Sequence, residues 1–91
     1  MVETSEARLK RLTMRSWRRG MREMDLVLGP FADAELAGLP AATLDAYETL
    51  LAEPDQDLFA WISGQTPPPA AHQGLIATLR AFAKARHPPT E

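Results

Sequence analysis

The chain has no cysteine. It therefore has no disulfide, no thiolate nucleophile and no Cys-ligated zinc or iron–sulfur site, a composition suited to a reducing compartment. Long apolar runs are also missing. Uninterrupted apolar stretches last only a few residues, against the roughly 20 that span a bilayer. The N-terminus lacks the apolar core of a secretory signal, so the expected setting is the cytoplasm, with no membrane partner. No segment alternates with a period of two, which argues against strands. A glycine-rich phosphate loop, a metal-ligand pair at helical spacing and a serine in a strained elbow are all absent, and an enzyme reading has no constellation to rest on.

What is present is 91 residues with 45% apolar and 24% charged content. That describes one domain over 1–91 with a single core, ordered from about 5 to 86 between short tails. The net charge of −2 hides an uneven distribution. Residues 1–25 hold seven basic side chains (Arg8, Lys10, Arg11, Arg15, Arg18, Arg19, Arg22) and four acids, for +3. Residues 26–79 have seven acids and no Lys or Arg, for −7, and the remainder adds +2. Opposed fields of this kind orient an approaching protein partner. The acidic segment would repel phosphates, so nucleic acid is not the expected partner.

Apolar spacing predicts an all-α bundle of about five short helices. Thr4 or Ser5 caps a first helix running to about Arg19, with Gly20 as its stop. Its Leu9, Leu12, Ser16 and Trp17 face one way, while Arg8, Arg11, Arg15, Arg18 and Arg19 form a basic stripe. A second helix starts at Met21, and Gly29-Pro30 is expected to bend or break it. Pro40 opens a third helix bearing Leu44, Tyr47, Leu50 and Leu51, which Pro54 ends. Asp55 reads as the N-cap of a fourth helix, with Asp57 a first-turn acid and Gly64 the stop. Pro67–Pro69 is a stiff connector. The last helix runs from about Ala71 to Arg86, where Pro88 and Pro89 forbid continuation. Trp17, Phe31, Tyr47, Phe59, Trp61 and Phe82 read as core aromatics, and His72 and His87 as solvated or partly buried surface histidines.

The junction between the first two helices carries Arg19, Gly20, Met21, Arg22 and Glu23. Read structurally, it is a capped turn with a charge suited to each helix end. Read functionally, Gly20 admits another backbone while Arg19 and Glu23 make charge-assisted hydrogen bonds across an interface. The arginine stripe is open to three readings: a solvated face, a nucleic-acid surface, or a dock for an acidic protein or phosphate-bearing ligand.

The run Arg18-Arg19-Gly20-Met21-Arg22-Glu23-Met24-Asp25, followed by Gly29-Pro30-Phe31 and by Pro54-Asp55-Gln56-Asp57-Leu58-Phe59-Ala60-Trp61, resembles the SdhE family of FAD assembly factors for succinate dehydrogenase. Their hallmark is an Arg-Gly-x-x-Glu motif, and the resemblance covers roughly residues 8–83. It implies a small five-helix bundle; the expected state of the chain is a monomer. It also implies an assembly chaperone, not an enzyme, that binds the flavoprotein subunit of succinate dehydrogenase or fumarate reductase. Such a chaperone promotes attachment of FAD to a histidine of that subunit, with no cofactor bound stably by the chaperone itself. Matched by position, Arg19, Gly20 and Glu23 carry the motif, with Met21 and Arg22 inside it. Arg11 and Arg15 extend the partner surface along the stripe. The Asp55 to Trp61 signature is assigned mainly to structure. The short lead before the first helix resembles the bacterial form, without the targeting extension of mitochondrial relatives. The alternative is a generic helical adaptor or antitoxin-like module that binds protein or nucleic acid through the arginine stripe.

Overall fold

The computed structural model describes residues 2–86. Among them there are five α-helices and no strand: α1 Ser5–Trp17, α2 Arg22–Glu35, α3 Ala41–Leu51, α4 Asp55–Ser63 and α5 Gln73–Arg86, with 3-10 turns at Leu36–Gly38 and Ala70–His72. Expected readings of His87, Pro88 and Pro89 lie outside the described residues. Thr4 caps α1 by accepting the Ala7 N–H at 3.1 Å, and Gly64 closes α4 with φ +86°, a left-handed conformation that favours glycine.

Helix α2 is the centre of the bundle, packing on α1, α4 and α5. Its Met24, Leu28, Phe31 and Ala32 are buried against Leu12 of α1, Tyr47 and Leu50 of α3, Leu58 and Trp61 of α4, and Ile76 and Leu79 of α5. Phe31 organises the aromatic part of this core. Its ring lies 5.6 Å from Tyr47 and 5.4 Å from Phe82, the latter edge to face, a geometry that aligns the ring quadrupoles.

Gly29-Pro30 does not break α2 into two helices, one of the two outcomes expected from the sequence. Helix α2 runs through both residues. The proline removes the donor for the Leu26 carbonyl, but Leu26 is 48% exposed, so water can replace that donor. Gly29 serves packing. A Cβ there would overlap the Trp17 indole, and only a bare backbone leaves room for it. Trp17 is correspondingly not a core aromatic. It lies across α2 at 40% exposure, with Nε1 donating to the Asp33 carboxylate at 3.3 Å.

Two polar groups inside the bundle are satisfied. Ser16 Oγ donates to the Leu12 carbonyl at 2.8 Å, which leaves Tyr47 to donate its hydroxyl to Ser16 Oγ at 2.6 Å. His72, expected near the surface, is buried at 6% exposure. Its Nε2 is 2.9 Å from Glu53 Oε2, and its ring rests 5.6 Å from Trp61. A carboxylate partner and an aromatic neighbour make this burial tolerable.

Gly29→Ala is expected to destabilise the native chain by about 1–3 kcal/mol through overpacking. In a Trp17→Ala background the same change should instead stabilise by about 0.5–1 kcal/mol, since only helix propensity remains. Thermal denaturation of the four chains reads the sign reversal. Burial also pushes the Tyr47 hydroxyl up to about 12, against the opposing pull of Ser16 and Arg19. An unfolded tyrosine ionises near about 10, so the unfolded chain loses its proton first. Stability should be intact below about pH 10 and fall as pH rises toward about 12. Ultraviolet titration checks this cleanly because Tyr47 is the only tyrosine.

Candidate functional site

Helix α1 ends at Trp17, two residues earlier than expected, with Arg18 as its C-cap. The segment 18–21 turns the chain into α2, and Arg19 dominates its geometry. The guanidinium reaches the turn between α3 and α4, where Nη1 donates to the Leu51 carbonyl at 2.6 Å and Nη2 to the Glu53 carbonyl at 2.8 Å. Nε donates to Asp55 Oδ1 at 2.6 Å. Local chemistry explains the fit. Helix α3 stops just before Pro54, leaving terminal carbonyls without helix donors and the negative end of a dipole beside them. Helix α4 begins at Asp55, where a carboxylate is favoured. A cation lodged between the two ends answers both.

Asp55 has a second function. Its Oδ2 accepts the Gly20 N–H at 2.7 Å, while Asp25 Oδ1 accepts the Arg19 N–H at 2.7 Å. Asp55 is thus not the N-cap of α4, a position that Pro54 occupies; its side chain holds the Arg19-Gly20 backbone instead. The glycine at position 20 answers to space, because its φ is not in the left-handed region. A Cβ there would lie 3.0 Å from Asp55 Oδ2, tighter than ordinary contact. The α3–α4 turn is gripped from its other side by His72 on the Glu53 carboxylate.

The arginine stripe divides into two groups. Arg8 pairs with Asp45 at 2.6 Å and Glu48 at 3.0 Å, and Arg11 with Glu3 and Glu48, both at 2.8 Å. Arg11 holds the Glu3 and Glu48 carboxyls below the usual carboxylate range, Arg8 adding to the effect on Glu48. Those carboxylates in turn hold the Arg8 and Arg11 guanidiniums above their ordinary value. Arg15, Arg18, Arg22 and Glu23 make no side-chain hydrogen bond or ion pair among the described residues. A groove of about 380 Å³ along α1 is lined by Arg11, Met14, Arg15, Arg18 and Arg19.

The seven expected partner residues lie on α1, on the adjoining turn and on the first turn of α2, in different conditions. Gly20, Arg22 and Glu23 are exposed, Met21 packs its side chain against the core, and Arg19, expected to reach outward, has its guanidinium occupied within the chain. Arg11 and Arg15 line the groove beside the junction. The Asp55 grip on Gly20 was not legible in the sequence. Its partners are 35 positions apart, and the visible signal was only an acid at a helix start. No group of three or more His, Asp or Glu side chains suited to a metal ion occurs among the described residues. None of their helices is long and apolar enough to cross a membrane.

A family model described as "Flavinator of succinate dehydrogenase" matches residues 10–83, a span containing the junction, the groove and the Asp55 turn. The chain belongs to this flavinator family. Among flavinator-family proteins, it is 44% identical over 68 residues to "Succinate dehydrogenase assembly factor 2, mitochondrial" of Mycosarcoma maydis, covering 75% of this chain and 29% of that protein. The protein of the same name in Schizosaccharomyces pombe is 42% identical over 67 residues, covering 74% of this chain and 48% of its own length. "FAD assembly factor SdhE" of Haemophilus ducreyi is 38% identical over 69 residues, covering 75% of this chain and 84% of its own. The chain thus spans half or less of these mitochondrial relatives and most of the bacterial one.

Asp55→Asn is expected to release the Arg19-Gly20 segment. It should cost about 2 kcal/mol, as expected for loss of charge-assisted bonds in a partly buried place. It should also remove hydrogen-exchange protection at the Gly20 amide while leaving the amides of α5 protected. Native-state exchange followed by NMR makes both measurements.

Proposed function

We propose that this protein is an assembly factor that binds the flavoprotein subunit of succinate dehydrogenase or fumarate reductase and promotes covalent attachment of FAD to a histidine of that subunit. The observation that carries the reading is the clamped junction: Arg19 and Asp55 fix the backbone at Gly20, while Arg22 and Glu23 beside it are exposed and unpaired within the described chain. A surface fixed before contact has little ordering cost at docking.

The bound FAD of the partner supplies the methyl carbon to which the histidine becomes attached. This chain's contribution is positional. By binding preferentially to one arrangement of the flavoprotein it raises the population in which that histidine is held against the flavin. Glu23 serves as a surface contact and not as an acid or base; it is exposed on the first turn of α2 and makes no side-chain hydrogen bond or ion pair among the described residues. Arg19 acts from behind the surface by holding Gly20. We put the site of action in the cytoplasm, with this chain as a monomer that holds no FAD of its own.

The test is in-gel flavin fluorescence of the denatured flavoprotein subunit from cells with the native gene, without it, and with Gly20→Arg or Glu23→Lys. Fluorescence should fall without the gene and stay low with either variant, circular dichroism confirming that each variant folds. Glu23→Lys matters because it leaves the Asp55 contact untouched. Purified Glu23→Gln at saturating concentration should reach a near-normal rate. Unchanged fluorescence after deletion would overturn the assembly reading, and a rate that stays low at saturation would overturn the positional role of Glu23.

A further inference from the structure

Six arginines lie between positions 8 and 22, and the chain's own carboxylates engage three of them: Arg8, Arg11 and Arg19. Arg15 and Arg18 remain without a partner among the described residues, and both line the α1 groove. Residues three and four apart are neighbours on a helix surface. Arg11 and Arg15 therefore form one row and Met14 and Arg18 the next, so that Met14 sits among three guanidiniums. Met14 is 43% exposed, an adaptable apolar side chain at the centre of a charged patch.

We propose that this groove seats an acidic segment of the flavoprotein, with carboxylates on Arg15 and Arg18 and an apolar side chain between them on Met14. The proposal rests on the assembly reading and adds the chemistry of the segment that the site takes. Charge complementarity selects the occupant. Unpaired guanidiniums attract carboxylates in bidentate geometry. Glu3 and Glu48 close the Arg11 end of the patch with negative charge, so the incoming acids are directed toward Arg15 and Arg18. The same closed end disfavours a nucleic-acid backbone, which needs a continuous track of cations. Arg19 lines the groove and also fixes Gly20, making the groove continuous with the junction.

Two measurements test this. Affinity for the purified flavoprotein subunit is compared across salt concentrations for the native chain, for Arg15→Glu with Arg18→Glu, for the milder Arg15→Gln with Arg18→Gln, and for Gly20→Arg. Both double variants are expected to weaken binding, the charge reversal by at least about 10-fold, and to flatten its salt dependence. Loss of binding in Gly20→Arg alone, with the double variants binding as the native chain does, overturns the groove and leaves the assembly reading standing. No binding by the native chain overturns both. In the second measurement the Met14 methyl signal is followed by NMR during titration with a synthetic peptide of glutamates and leucines. The methyl should shift saturably. An equal shift with the glutamine version of that peptide, or a larger one with single-stranded oligothymidine, overturns the assignment to an acidic protein segment.

Discussion

Arg19 reaches from the end of α1 into the turn between α3 and α4, where one guanidinium satisfies two backbone carbonyls and meets the Asp55 carboxylate. The interaction ties the chain just after α1 to the end of α3 and the start of α4. The end of one helix dipole calls for a cation and the start of another for an anion, and the Arg19–Asp55 pair supplies both without isolating either charge. Because Asp55 also holds the Gly20 amide, the exposed junction inherits its shape from a contact made behind it.

Read this way, the Arg-Gly-x-x-Glu motif contains two kinds of residue. Arg19 faces inward and sets geometry. Glu23 faces outward and has no partner among the described residues. Gly20 belongs to both classes, since a side chain there would crowd Asp55 on the inside and enlarge the surface on the outside. The stripe along α1 divides likewise, between arginines that pin α1 to α3 and arginines without a partner among the described residues.

Helix number and the apolar faces were readable because each helix carries its own period and punctuation, as Thr4 and Gly64 do for α1 and α4. Sequence reading failed where a residue's role depended on something distant. Gly29 and Pro30 look like a break until the Trp17 indole is seen lying on the glycine. Asp55 looks like a helix cap until Arg19 and Gly20 arrive from 36 and 35 positions away. His72 looks solvated until Glu53 and Trp61 surround it. Local propensity contains none of this. It registers that a charge suits a helix end, and not which charge comes to meet it.

The long sequence separation of the Arg19 contacts bears on when the junction takes its shape. Turns and helices form from near neighbours, but a clamp between residues so far apart waits for the loop between them to close. The junction therefore acquires its final shape only once α3 and the start of α4 are in place. A partly synthesised or partly unfolded copy would lack the contacts to Asp55 that hold this loop. The clamp thus couples the shape of the junction to the completion of the fold.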